Sequence, residues 1–224
     1  MTKIEWTNVS WNPTIGCSRE ACMKLYCYAC KMATRLKHMG HADYQLADPF
    51  QPRFVEHRLK LPYKWRKPRM VFVDSMGDLF DEHIREIDII RVLNVIKENP
   101  KHTFQVLTKQ AQRAVDVLED FTLPKNLWLG TTQDGKTTDI DDITLLAQLN
   151  PEVHFASFEP LLGPIYTWPL DALDWVIVGA QTNPTRQPKK EWVNSIIETA
   201  RSDGTYIFLK DNLEGFPIIQ EWPK

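Results

Sequence analysis

All the cysteines of the chain, Cys17, Cys22, Cys27 and Cys30, stand in "CSREACMKLYCYAC", a run of fourteen residues; the rest of the sequence has none. Buried structural cysteines scatter with the core, so thiols crowded into one segment point to a shared ligand. A pair of disulfides is disfavoured if the protein works where thiols stay reduced. Thiolates suit zinc or an iron–sulfur cluster, and the spacing arbitrates between them. Structural zinc sites usually carry two close pairs separated by a dozen residues or more. Here the gaps are four, four and two residues, a single compact loop. That spacing favours iron–sulfur over zinc and leaves open which of the thiols are used.

The remaining composition says where such a loop would work. The 224 residues are 43% hydrophobic, enough to bury a substantial core, and are read as one domain, 1–224. With 27 basic against 29 acidic residues, any attraction to nucleic acid has to be local rather than global. No apolar run approaches the roughly 20 residues of a membrane span, and "MTKIEWTNVSW" is not a signal peptide. A cytoplasmic protein is expected, with no membrane partner.

Elements must hold the thiols in place. Six short runs, "MVFVDSM", "TFQVLTK", "NLWLGTT", "VHFASFEP", "DWVIVGAQ" and "TYIFLKDN", are apolar on both faces and end in small or polar residues. Such runs read as buried parallel strands, and a seventh opens the chain near Ile4–Trp11. In "DEHIREIDIIRVLNVIKEN", Ile89, Val92, Leu93 and Ile96 recur at the i, i+3, i+4, i+7 spacing of a one-faced helix. "DITLLAQL" and "EWVNSIIETA" read as shorter helices. Strands alternating with helices predict an α/β fold, a partial or complete (β/α) TIM-like barrel, with an open doubly wound sheet as the alternative. No GxGxxG or Walker sequence supports the latter. A long irregular insertion is expected at about 41–69.

A barrel places its site at the C-terminal ends of its strands. Those ends supply Asp74, Ser75 and Asp78; Thr108 and Lys109; Thr131 and Thr132; Glu159; Gln181; and Lys210, Asp211 and Asn212. The cysteine loop follows the first strand and should open onto the same face.

These stretches, taken in order, carry a resemblance. "WNPTIGC", "CYA", "WRKPRMVFVDSMGDLF", "HTFQVLTK", "LWLGTT", "SFEPLLGPI", "DWVIVG" and "FLKDN" resemble a phage and prokaryotic family, named after phage gene products. That family belongs with the radical S-adenosylmethionine (SAM) enzymes near spore photoproduct lyase, and the resemblance covers nearly the whole chain. It implies a radical SAM-type barrel, a [4Fe–4S] cluster held by three cysteines, SAM as cosubstrate, an electron donor as partner, and cleavage of SAM to a 5′-deoxyadenosyl radical. It makes Cys27, in "YCYA", and Cys17, in "WNPTIGC", metal ligands. The family's usual second position falls on Lys24, which cannot replace a thiolate, so either Cys22 or Cys30 completes the set.

The resemblance also implies roles at the other strand ends. Ser75, Gly77 and Asp78 stand where related enzymes hold the SAM amine, with Gly77 allowing close backbone approach. Thr108, Glu159 and Gln181 are expected to contact the cofactor as well, and Lys109 and Lys210 to bind a carboxylate or phosphate. Many relatives have Gly-Gly-Glu where this chain has Gly179-Ala180-Gln181. The substrate reading rests on "HRLKLPYKWRKPR", in which Trp65 and Arg66 stand among basic residues able to stack bases and grip phosphates. It favours a nucleic acid or nucleotide; a peptide or small metabolite, or a non-enzymatic metal-stabilised barrel, are the alternatives.

Overall fold

The computed structural model describes residues 4–18, 27–165, 168, 172–182 and 184–224. Its main sheet has seven parallel strands: β1 (Val9–Trp11), β2 (Met70–Val73), β3 (Thr103–Thr108), β4 (Leu127–Thr132), β5 (Val153–Phe158), β6 (Trp175–Val178) and β7 (Tyr206–Leu209). They pair strictly in sequence order. Among the described residues five helices accompany them: α1 (Tyr28–His38), α2 (Glu86–Glu98), α3 (Ala111–Leu118), α4 (Asp141–Ala147) and α5 (Lys190–Asp203).

Sequential order excludes the doubly wound alternative. Right-handed crossovers that never reverse direction put every connecting helix on one face of the sheet. The packing agrees. Val71, Val73, Phe104 and Val106 bury against Ile89, Val92 and Leu93 of α2 and Ala114 of α3. Ala156, Phe158, Val176, Val178, Ile207 and Leu209 bury against Ile143 of α4 and Val193 and Ile196 of α5. The alternate residues of the same strands, Phe72, Phe155, Trp175, Ile177 and Phe208, form a separate cluster on the other face.

That second cluster shows the sheet to be curled. Flat, β2 and β6 would stand roughly 19 Å apart, four strand spacings. Instead the Trp6 ring lies 4.7 Å from Phe72 on β2 and 6.2 Å from Trp175 on β6, and 6.4 Å from Phe155 on β5. Gln105 on β3 donates to the Trp6 carbonyl. The result is a half-barrel with Trp6 filling its interior. It stays open because the free edge of β7 is taken by the C-terminal tail: Leu209 donates to Ile219 and Glu221 to Ile207.

The opening strand is shorter than Ile4–Trp11, the length expected from sequence. Only Val9–Trp11 pairs with β2. Trp6 is drawn into the interior instead, where burying its ring outweighs a few ladder bonds. Segment 41–69 contains short 3-10 turns at Ala42–Tyr44, Glu56–Arg58 and Pro62–Lys64 and a two-residue strand, Arg53–Phe54, paired with Thr14–Ile15. Among the described residues no helix is long and apolar enough to cross a membrane.

Candidate functional site

The loop leaving β1 is fixed to the loop leaving β2 by backbone contact. Gly16 N donates to Met76 O at 2.9 Å, and Asp78 N donates to Gly16 O at 3.2 Å. The approach is close enough to demand glycine on both sides. Gly16 has φ +89°, and a Cβ on it would stand 2.2 Å from Phe50 O; one on Gly77 would stand 2.7 Å from Gly16 O. Two residues on, Ser18 donates to the buried Asp81 carboxylate from both its backbone N (2.6 Å) and its hydroxyl (2.9 Å). Cys17 sits between these two anchors.

Residues 19–26, and with them Cys22, lie outside the described residues. The chain re-enters at Cys27, which caps α1: its Sγ accepts from Cys30 N at 3.5 Å. Cys17, Cys27 and Cys30 are half-buried. All three pack against one apolar cluster that includes Ile15, Ala29, Ala33, Tyr44, Phe50, Val55 and Met76. Among the described residues no three His, Cys, Asp or Glu side chains converge closely enough to hold a metal ion.

Two residues that sequence reasoning did not single out tie this loop to the strand ends. Asn12 Oδ1 accepts from both Ser75 Oγ and Met76 N at 3.0 Å. Tyr28 leaves half its surface exposed, while its hydroxyl reaches in to donate to Ser75 O. Burial of that hydroxyl pushes its pKa up, and the nearby Glu159 and Cys27 push the same way. Neither residue carries a local signal for these contacts, since the partners stand 63 and 47 positions away.

The expected site residues divide into groups. Ser75 and Gly77 lie beside the cysteine loop, as above. Asp78 is 5% exposed and its carboxylate is committed internally. One oxygen accepts from Thr108 Oγ1 (2.8 Å) and Phe80 N (3.0 Å), the other from Lys109 N (2.9 Å). Thr108 is thereby a brace between β3 and the β2 loop. Glu159 receives an ion pair from Lys210, whose ammonium also stands 3.9 Å from Glu5. Gln181 donates to Pro184 O at 3.0 Å within a small hairpin. Lys109 instead lines a groove of about 1090 Å³ beyond β3 and β4, with Arg113, Lys136, Glu82, Asp116 and Asp139. Glu82 also accepts from Ser18 Oγ at 3.3 Å, so the groove adjoins the thiol loop.

Trp65 and Arg66 are not brought to this rim. They precede β2 and so stand at the N-terminal edge of the sheet. Trp65 is packed against the His102 ring at 5.6 Å, with the Arg69 guanidinium 5.8 Å from its centroid.

Asp74 is a further buried acid here, held at φ +56°. It accepts from Thr14 N (3.0 Å) and Thr14 Oγ1 (2.8 Å). Burial raises its pKa from 3.8 to about 8 against the opposing effect of those bonds, with Asp78 adding to the rise. A carboxyl protonated in the fold but ionised in the unfolded chain lowers stability as pH rises from about 4 to about 8. Asp74→Asn should therefore be at least as stable as the parent at pH 8 and lose its advantage toward pH 4. Thermal melts of both chains across that range check this; a variant less stable at every pH by a constant margin would mean an ionised Asp74.

The family model described as "Protein of unknown function (DUF5131)" matches residues 1–215. No protein of curated description matches. Among solved structures, a mutant spore photoproduct lyase with bound AdoMet and dinucleoside spore photoproduct is similar, with TM-score 0.50 and 10% identity over 93% of this chain. A spore photoproduct lyase complexed with dinucleoside spore photoproduct is similar with TM-score 0.42 and 10% identity over 85%. The chain spans 57% and 60% of the lengths of these two lyases. At that identity the likeness of the first establishes a shared fold: the half-barrel is that of spore photoproduct lyase.

Proposed function

The chain belongs to the DUF5131 family, and on that premise we propose that it is a radical SAM-type iron–sulfur enzyme acting on a nucleic acid or nucleotide. The observation that carries this reading is the anchoring of the thiol loop. Gly16 and Ser18 pin both sides of Cys17 to the C-terminal rim, where a barrel does its chemistry. The donor set fits the cofactor in kind: half-buried thiols packed against an apolar cluster suit an iron–sulfur site. Cys17 and Cys27 are its first ligands. Cys22 is the better third, because Cys30 stands inside α1 rather than in the loop. When bound, such a cluster with one iron open supplies the electron that cleaves S-adenosylmethionine reductively.

The chain's own residues do the holding. Ser75, positioned by Asn12 and capped by Tyr28, offers the first polar groups beyond the thiol pocket. The Glu159–Lys210 pair offers a carboxylate to an amine or ribose hydroxyl and an ammonium to a carboxylate. Asp78 and Thr108 act as braces for that rim rather than as ligands, and the Gln181 amide stands further out. Lys109, Arg113 and Lys136, in the adjoining groove, suit the phosphates of a nucleotide. The nucleic-acid reading also draws on the fold shared with a lyase bound to a dinucleoside. A reducing cytoplasm and a separate electron donor complete the reading, since the ligand thiols must stay reduced.

Anaerobic reconstitution with iron and sulfide tests it. The expected product is brown, with a visible absorption band that shifts when SAM is added. Stoichiometric zinc with no iron uptake would overturn the assignment, and an iron–sulfur spectrum indifferent to SAM would reduce it to a structural cluster.

A further inference from the structure

A run of unpaired positive charge lies at the opposite end of the sheet from the thiols. "KLPYKWRKPR", Lys60–Arg69, has five cations and no acid. It runs directly into β2, and the pairing register shows what stands beside it. Thr103 N donates to Arg69 O at 2.9 Å and Phe104 N to Asn126 O at 2.8 Å, so the residues leading into β2, β3 and β4 line up along one edge. Arg66 and Lys67, Lys101 and Lys125 therefore share the N-terminal face within about 10 Å of strand spacing. All four are exposed, as is Lys64.

None of these five cations has a carboxylate within 4 Å among the described residues, whereas Arg58, Arg85, Arg91, Arg113, Arg201 and Lys210 are all paired. The face is also shaped rather than loose. Trp65 is wedged against His102 with Arg69 over its ring, which fixes the strand entry that carries Arg66 and Lys67. Tyr63 is 44% exposed beside them. Glu98, which takes the Tyr63 hydroxyl, is a carboxylate in contact with the segment, and Glu152 ahead of β5 bounds the patch.

We propose that this N-terminal face docks the phosphate backbone of a nucleic acid, as an anchoring surface separate from the thiol rim. Lysine-rich surface with little exposed apolar area is poor material for a protein interface, from which lysine is depleted. A membrane surface would ask for an inserting apolar face, which the segment lacks. Unpaired cations fixed along a sheet edge on a nearly neutral chain fit a polyanion whose bound counterions they release.

The surface does not depend on the cluster, so it is tested on the full chain without SAM, by anisotropy titration of labelled single- and double-stranded oligonucleotides at several salt concentrations. Affinity should fall steeply with salt. Lys64→Ala, Arg66→Ala and Lys67→Ala together should flatten the log–log slope by about 0.7–0.9 for each phosphate no longer neutralised, and Lys101→Ala with Lys125→Ala should add to that from different strands. Iron content should be unchanged in both variants, which separates this surface from the rim. No binding at low salt, an unchanged slope in both variants, or equal affinity for poly-glutamate or anionic vesicles would overturn the proposal.

Discussion

Cys17→Ala and Cys27→Ala should each purify anaerobically without iron, from a parent that carries about four irons and four sulfides per chain. The expectation follows from where the two thiols sit. Cys17 is held between two backbone anchors, Gly16 to Met76 and Ser18 to Asp81, so it cannot retreat from the rim. Cys27 begins α1 on the same apolar pocket. Loss of iron in Cys27→Ala alone would be ambiguous, because that change also removes the cap of α1. Cys27→Ser separates the two effects: the hydroxyl still caps the helix, but clusters of this kind are held by thiolates. It should melt near the parent and still lack iron. Of Cys22→Ala and Cys30→Ala, the second should be nearly silent. Retention of iron in Cys17→Ala would remove the basis of the cofactor assignment.

Gly16→Ala should be strongly damaging, costing about 3 kcal/mol or more of stability and most of the iron. Two terms add. A non-glycine residue at φ +89° costs of order 1–3 kcal/mol, and a Cβ placed 2.2 Å from Phe50 O forces a backbone shift. Gly77→Ala meets Gly16 O at 2.7 Å and should act in the same direction without the conformational penalty. Denaturant melts and iron analysis of the two variants read both effects. Parent-like stability in Gly16→Ala would show that the rim contact does not hold the thiol loop.

Much of this was legible in the sequence because it is periodic or local. Strands apolar on both faces betray themselves as "VFV", "WVIV" or "YIFL", and α2 buries the expected Ile89, Val92, Leu93 and Ile96. The strand ends are less legible. "MVFVDSM" stops pairing at Val73 because Asp74 turns to a positive φ, which nothing in the run announces. Trp6 reads as a strand residue and becomes the filling of the half-barrel, since the curl that brings Phe72 and Trp175 to it is a property of the whole sheet. At the site, the resemblance pointed to Asp78 for the SAM amine and to Lys210 for a carboxylate or phosphate. Burial and pairing with Thr108, Lys109 N and Glu159 give them partners within the protein instead. Trp65 and Arg66 had the composition of a binding segment; only the register of β2 puts them on the far edge from the thiols.

The central claim is that the thiol loop makes this half-barrel a SAM-cleaving enzyme. The reconstituted chain, incubated anaerobically with dithionite and SAM, should release 5′-deoxyadenosine and methionine in equal amounts, slowly even without substrate, and Cys17→Ala treated alike should release neither. A parent that carries its full complement of iron and sulfide yet forms no 5′-deoxyadenosine above the Cys17→Ala background would contradict the account.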